Sequence, residues 1–196
     1  MKLNSIKKTC LQISVACLWL MGSARNDGNN QGFEQKLSLQ GISFEVSCPN
    51  QGSINQLTIK PSGLEIDNSV IQKEVDGTVT GAETSDLNGD GSPEIIVYVS
   101  SAGSGTYGSV VAYSANNKKS LSEIYLPPLA DDPEYSVGYM GHDKFAVVEN
   151  SLSRRFPVYK PGDSNANPTG GTRQVDYKLV PGEAGWIFKP YQSHEY

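Results

Sequence analysis

The sequence predicts an all-β protein, an antiparallel β-sandwich of roughly eight to ten short strands. Short apolar or alternating segments are separated by turn signals rich in Gly, Pro and Asn. No segment keeps the 3.6-residue period of an amphipathic helix. The length of 196 residues indicates one domain.

The N-terminus has the pattern of a secretory signal over residues 1–24. Lys2, Lys7 and Lys8 form a basic segment, residues 11–21 are largely apolar, and Gly22-Ser23-Ala24 supplies small residues for cleavage. The apolar run is shorter than the roughly 20 residues that span a bilayer, so a membrane anchor is the weaker interpretation. Lipidation at Cys17 is weaker still, because Leu18 and Trp19 after it are wrong for a mature N-terminus.

The predicted mature protein is periplasmic or secreted, with a flexible lead-in over 25–35 and a single domain over 36–190. Removing residues 1–24 takes away three Lys and no acid, so 13 basic residues face 21 acidic ones and the net charge is −8. An acidic surface disfavours nucleic acid as a partner. It is compatible with a basic protein partner or a bound cation, and a homodimer is left open.

The first half of the domain contains three predicted strand regions. Leu37–Cys48 is a strand or a bent pair of strands, broken near Gln40-Gly41. Its alternation places Cys48, the one cysteine outside the signal, inward as a buried thiol. Leu57–Ile59 is a strand that ends before a Pro-Ser-Gly turn. Residues 70–75 and 78–80 flank Asp76-Gly77, a two-residue signal that predicts a hairpin.

The second half begins with Ile95–Val99, whose apolar run predicts a central strand buried on both faces. In Arg173–Leu179, apolar and polar residues alternate, as expected of a half-buried strand. Turn signals bound the remaining strand candidates, which are Val110–Tyr113, Ile124–Leu126, Phe145–Val148, Phe156–Tyr159 and Trp186–Phe188.

An oxygen-rich loop directly precedes the Ile95–Val99 strand. Its spacing, D-x-N-x-D-G-S-x-E, is similar to compact calcium loops, although no Glu stands at position 12. Two interpretations remain open: a structural calcium, or a metal-free turn in which the side chains bond the backbone. The candidate ligands are Asp86, Asn88, Asp90, the Ser92 carbonyl and Glu94.

A glycine- and serine-rich loop, Ser100–Gly108, follows the same strand and presents Ser104-Gly105-Thr106-Tyr107. Glycines permit close approach to another molecule, and Tyr has the bulk and rigidity of an interface anchor. From composition alone, the alternative is an ordinary hairpin loop with Tyr107 folded onto the sheet.

SSAGSGTYG, following DLNGDGSPEIIVYV, resembles the periplasmic inhibitors of invertebrate-type (i-type) lysozyme. The segments SRRFPVY (153–159), GDSNANPTGGTRQ (162–174) and GEAGW (182–186) are also similar to that family. The resemblance covers residues 70–188 well and 33–69 loosely. It implies that the S-G-x-Y loop enters the active-site cleft of a lysozyme and that the chain is not an enzyme.

By this resemblance, Ser104 would hydrogen-bond the two catalytic carboxylates of the lysozyme, and Tyr107 would fill a neighbouring sugar subsite. In Arg154-Arg155, a cation near the cleft, Arg154, would pair with acidic groups of the lysozyme. The alternatives are a solvated turn and an Arg155 that is packed internally. No cofactor is required. The predicted lysozyme-binding residues are Gly103, Ser104, Gly105, Thr106, Tyr107 and Arg154.

An alternative is a calcium-stabilised carbohydrate- or cell-surface-binding module that depends on Tyr135, Tyr139 or Trp186. An enzyme is the weakest interpretation, because His142 and His194 are the only histidines and no hydrolase or zinc motif is present. His142 itself is typical of a turn residue.

Overall fold

The computed structural model describes residues 32–196, and the predicted signal lies outside them. The all-β class is confirmed: residues 32–196 form twelve strands, rather than eight to ten, and one short 3₁₀ turn at Leu129–Asp131. The strands are β1 Phe33–Leu39, β2 Ile42–Cys48, β3 Ile54–Ser62, β4 Ile71–Asp76, β5 Thr78–Ser85, β6 Glu94–Ser100, β7 Gly108–Asn116, β8 Ser120–Tyr125, β9 Lys144–Val148, β10 Ser151–Pro157, β11 Thr172–Pro181 and β12 Trp186–Glu195. Within residues 32–196 there is no helix long and apolar enough to cross a membrane.

The ordered chain extends beyond the predicted domain limits of 36–190. β1 begins at Phe33, inside the predicted lead-in, because residues 33–39 pair along their length with β2. β12 continues to Glu195, where it pairs with Arg173 of β11. Both ends are therefore held by backbone pairing.

The first four strands form an antiparallel sheet in sequence order, β1-β2-β3-β4. β1 and β2 are joined by Gln40-Gly41, both with positive φ, as a two-residue type I′ hairpin requires. Along β2 the burial alternates, so Cys48 is a buried free thiol as predicted.

The other eight strands form one sheet in the order β5-β6-β7-β8-β12-β11-β10-β9. All pairs are antiparallel except β8 with β12, which are parallel. In this pair Trp186 lies opposite Ile124, and Ile187 lies opposite Tyr125. This parallel contact joins the two halves of the sheet, and local sequence patterns did not predict it.

β6 lies between two hydrophobic cores, as its apolar run predicted. Ile95, Val97 and Val99 pack into a core shared with the four-stranded sheet. Ile96 and Tyr98 face the opposite way, into a core shared with β10, β11 and β12. Because β6 is buried on both faces, it supports the loop at its end from a rigid base.

The predicted hairpin at Asp76-Gly77 is wrong. β4 pairs with β3 in one sheet, whereas β5 pairs with β6 in the other. Gly77 alone has a positive φ, +125°, so the type I′ geometry is not formed. Its N–H donates to the Ser53 carbonyl at 2.6 Å, and an added Cβ would collide with the carbonyl of Ser100. Gly77 is therefore the point where the chain crosses between sheets.

Candidate functional site

The glycine- and serine-rich loop connects β6 to β7 at one end of the eight-stranded sheet. Two backbone hydrogen bonds close it: Ser101 N–H to the Tyr107 carbonyl at 2.9 Å, and Thr106 N–H to the Gly103 carbonyl at 3.2 Å. Ser104 is exposed, and half of Tyr107 is exposed (50%). The loop therefore presents a hydroxyl and an aromatic ring to solvent from a closed backbone.

Tyr107 is anchored on its inner side by a second tyrosine. Its ring meets Tyr139 edge-to-face, with centroids 5.7 Å apart, and Tyr139 meets Phe156 in the same way at 4.9 Å. Phe156 is fully buried in the core that lies on the β10–β12 side of the sheet. Edge-to-face pairs are favourable beyond the area they bury, so the orientation of Tyr107 is fixed from the core outward.

An ion pair lies beneath this stack. Arg154 Nε donates to Asp143 Oδ1 at 2.7 Å, and 6% and 0% of the two side chains are exposed. Asp143 Oδ2 accepts from the Tyr139 hydroxyl and from Gly108 N–H, each at 2.7 Å. Since Gly108 is the first residue of β7, one carboxylate links the loop's end to the ring that supports Tyr107.

The electrostatics of this group follow from its burial. Burial, then the hydrogen bond to Asp143, raises the pKa of the Tyr139 hydroxyl. Burial alone would lower the pKa of Arg154, but the hydrogen bond and charge of Asp143 outweigh it and raise the pKa. Both the tyrosine and the arginine therefore keep their protons.

The structure corrects the role predicted for Arg154. It lines a cleft of about 380 Å³ beside Tyr107, but its guanidinium is committed to Asp143 and Tyr139. An exposed surface cation is therefore excluded, and Arg154 acts as internal support. Its neighbour Arg155 is exposed instead and donates to Gln174, because successive strand residues face opposite sides of a sheet.

Two residues from distant segments also touch the loop. His142, at φ +59°, is the turn residue that the sequence predicted; its N–H donates to the Gly105 carbonyl at 2.7 Å. Asn165, in the loop between β10 and β11, donates from Nδ2 to the Ser104 carbonyl at 2.7 Å. Sequence reasoning missed both contacts, since Ser104 and Asn165 are far apart in the chain and no local pattern links them.

The loop that carries Asn165 is closed by one of its own carboxylates. Asp163 accepts from the backbone N–H groups of Lys160 and Thr169. Arg173 does not take part; it pairs with Glu195 and donates to the carbonyls of residues 135 and 137.

The candidate calcium loop lies at the opposite end of β6. Asp86 accepts from the N–H groups of Asp90 and Gly91, and Asp90 accepts from Ser92 N–H. Glu94 is fully buried and turned inward, where its carboxylate accepts from Leu87 N–H and the Ser114 hydroxyl.

Burial raises the pKa of Glu94 to about 7, against the opposing effect of the two hydrogen bonds. Among residues 32–196, no group of three or more His, Cys, Asp or Glu side chains is arranged to hold a metal. Asp86, Asn88 and Asp90 keep the spacing of a calcium loop, and calcium binding there stays a prediction.

The aromatic residues predicted for glycan binding are not flat exposed platforms. Tyr135, Tyr139 and Trp186 are partly buried and packed against the core that β6 shares with β10, β11 and β12. The indole N–H of Trp186 donates to Asn116 at 2.9 Å.

Residues 50–132 match the family described as periplasmic lysozyme inhibitor of I-type lysozyme. The resemblance predicted from the sequence is confirmed over that segment. The match supports a periplasmic lysozyme inhibitor, a class of protein that is not an enzyme. No curated protein and no solved structure matches the chain.

The segment that matches the inhibitor family contains the loop but not the residues that hold it. Residues 104–107 lie inside the match, whereas Tyr139, His142, Arg154 and Asn165 lie beyond its end. The exposed tip and its support are therefore contributed by different parts of the chain.

Proposed function

We propose that this protein inhibits i-type lysozyme by inserting Ser104-Gly105-Thr106-Tyr107 into the active-site cleft. One observation carries the proposal: an exposed hydroxyl and an exposed aromatic ring stand on a loop that is already closed and anchored to the core. A pre-formed loop loses less conformational entropy on binding than a mobile one.

The chemistry of a lysozyme suits these two side chains. A lysozyme cleaves glycan with two carboxyl groups, one protonated and one ionised. The Ser104 hydroxyl both donates and accepts hydrogen bonds, so it can satisfy that pair at once. Tyr107 offers a flat ring and a hydroxyl, which suit a subsite shaped for a sugar.

The remaining loop residues make this approach sterically feasible. Gly105 has no side chain, and an added Cβ would lie 2.6 Å from the Tyr107 ring. A larger residue would displace the ring or widen the loop. In a bacterium exposed to host lysozyme, occupation of the cleft would protect the cell wall and so serve evasion of host defence.

The test is lysis of peptidoglycan by i-type, c-type and g-type lysozymes, each titrated with the protein from Arg25 onward. Stoichiometric inhibition is expected for the i-type enzyme. Ser104→Ala and Tyr107→Ala should each raise the inhibition constant by about 30-fold, the effect of losing one hot-spot residue. Inhibition of another class alone would overturn the i-type assignment.

The matched controls are Ser62→Ala and Tyr125→Ala, which truncate an exposed serine on β3 and an exposed tyrosine on β8, both outside the loop. Both should inhibit like the wild type. Loop insertion is wrong if the Ser104/Tyr107 double variant also inhibits like the wild type. If no lysozyme is inhibited, glycan binding with and without calcium becomes the leading question.

A further inference from the structure

Two segments distant in sequence meet behind the exposed loop. Ser104, Gly105 and Thr106 each make one hydrogen bond to a residue outside the loop. The Ser104 carbonyl accepts from the Asn165 side chain, and the Gly105 carbonyl accepts from His142 N–H. The Thr106 hydroxyl bonds the ring of His142. The whole tip is therefore tied to the turn at 141–143 and the loop at 160–171.

The side-chain amide of Asn165 is used at both ends. Its Nδ2 donates to the Ser104 carbonyl at 2.7 Å, and its Oδ1 lies 3.2 Å from His142 Nε2. An amide oxygen can only accept, so Nε2 of His142 donates to it. On the other side of the ring, Nδ1 lies 2.9 Å from the Thr106 hydroxyl, which can donate or accept. One hydrogen-bond chain thus runs from Thr106 through His142 and Asn165 to Ser104.

The backbone of the loop depends on outside support of this kind. Thr106 has a φ of +38°, a region that β-branched residues rarely adopt. Such a conformation persists only where the surroundings determine it. The close approach of His142 also needs Gly141, since a Cβ there would collide with the Gly105 carbonyl.

We propose that His142 and Asn165 are positioning residues for the inhibitory loop, which hold Ser104 and Thr106 in the geometry that enters the lysozyme cleft. The effect on lysozyme rests on the proposed function; the effect on the free loop does not. Neither side chain stands at the exposed tip: both are partly buried behind it, whereas Ser104 and Thr106 are exposed. Their contribution to affinity is made before the partner arrives, by removing alternative loop conformations.

The test compares three variants of the full mature protein. Asn165→Ala removes the bond to Ser104, and His142→Asn removes the ring while keeping a residue that tolerates a positive φ. Asn167→Ala is the matched control, because it truncates an exposed asparagine in the same loop. Thermal unfolding should show that all three variants remain folded.

The first readout is amide hydrogen exchange in the free protein. The Thr106 amide, bonded to the Gly103 carbonyl, should exchange on the order of tenfold faster in Asn165→Ala and His142→Asn, because local opening becomes easier. Asn167→Ala should match the wild type. An unchanged Thr106 exchange rate in both of the first two variants would show that the pair does not hold the loop.

The second readout is the inhibition constant against i-type lysozyme, which should rise about tenfold in the same two variants. Faster exchange with unchanged inhibition would overturn the positioning role. If the wild type inhibits no lysozyme, the proposed function fails, and hydrogen exchange still decides whether the pair holds the loop.

Discussion

Removal of Asp143 should destabilise the whole domain, because it would leave a positive charge buried without a partner. Only 6% of the Arg154 side chain is exposed, and its Nε bonds Asp143. Breaking a buried ion pair by deleting one partner costs about 3–5 kcal/mol. In Asp143→Ala, Gly108 N–H and the Tyr139 hydroxyl also lose their acceptor, so we expect the upper part of that range.

The expected loss can be measured by urea and thermal unfolding. For a domain of this size, each kcal/mol of lost unfolding free energy lowers the melting temperature by about 2–4 °C. Asp143→Ala should therefore melt roughly 10–20 °C below the wild type. The control is Asp163→Ala, which also removes acceptors of backbone N–H groups but at an exposed site. It should shift the melting temperature much less than Asp143→Ala does, because water can replace the lost acceptor at an exposed site.

A double replacement separates the charge from the packing. Asp143→Leu with Arg154→Met removes both charges, and buried pairs replaced by apolar residues often lose little stability. The double variant should therefore be more stable than Asp143→Ala. A cost below about 1 kcal/mol for Asp143→Ala, or a double variant less stable than the single one, would refute the reasoning.

Two further predictions concern the loop before β6. Burial holds the folded-state pKa of Glu94 at about 7, above its ordinary 4.5, so its contribution to stability is greatest below about pH 4.5 and is lost as the pH rises through 7. In calcium-free buffer the free energy of unfolding should fall by about 3 kcal/mol over this range, and the fall should disappear in Glu94→Gln. If the free energies of unfolding of the two proteins change in parallel from pH 4 to 8, the prediction is wrong. If the loop binds calcium, the melting temperature should rise with calcium concentration, and Asp90→Ala should abolish the rise. A melting temperature that does not change with calcium would favour the metal-free turn.

Much of the fold could be predicted because its signals are local. Alternation in β2 and the apolar run of β6 report directly on the faces that each strand buries. In β11 the alternation misleads, because the polar residues Gln174 and Asp176 are buried as well as their apolar neighbours. The Gln40-Gly41 turn is also local, since it depends on two residues that adopt a positive φ. The position of the exposed loop follows from its glycines, and its resemblance to the inhibitor family from residues within and beyond the matched segment.

The errors came where pairing between distant segments decides the structure. Asp76-Gly77 has the composition of a hairpin turn, yet the strands on either side lie in different sheets. β4 pairs with β3 in one sheet, and β5 pairs with β6 in the other. Arg154 and Arg155 are equivalent in the sequence, and only the packing of β10 shows which one is buried.

The sequence by itself determined which residues stand at the tip of the loop and what chemistry they offer. Only the tertiary structure decided what holds them: the ring of Tyr139, the Arg154–Asp143 pair, and the chain from His142 through Asn165 to Ser104. The physical reason is the distance along the chain over which each interaction acts. Strand period and turn chemistry act over a few residues, whereas the support of the loop is built from side chains that only the assembled sheets bring within hydrogen-bond distance.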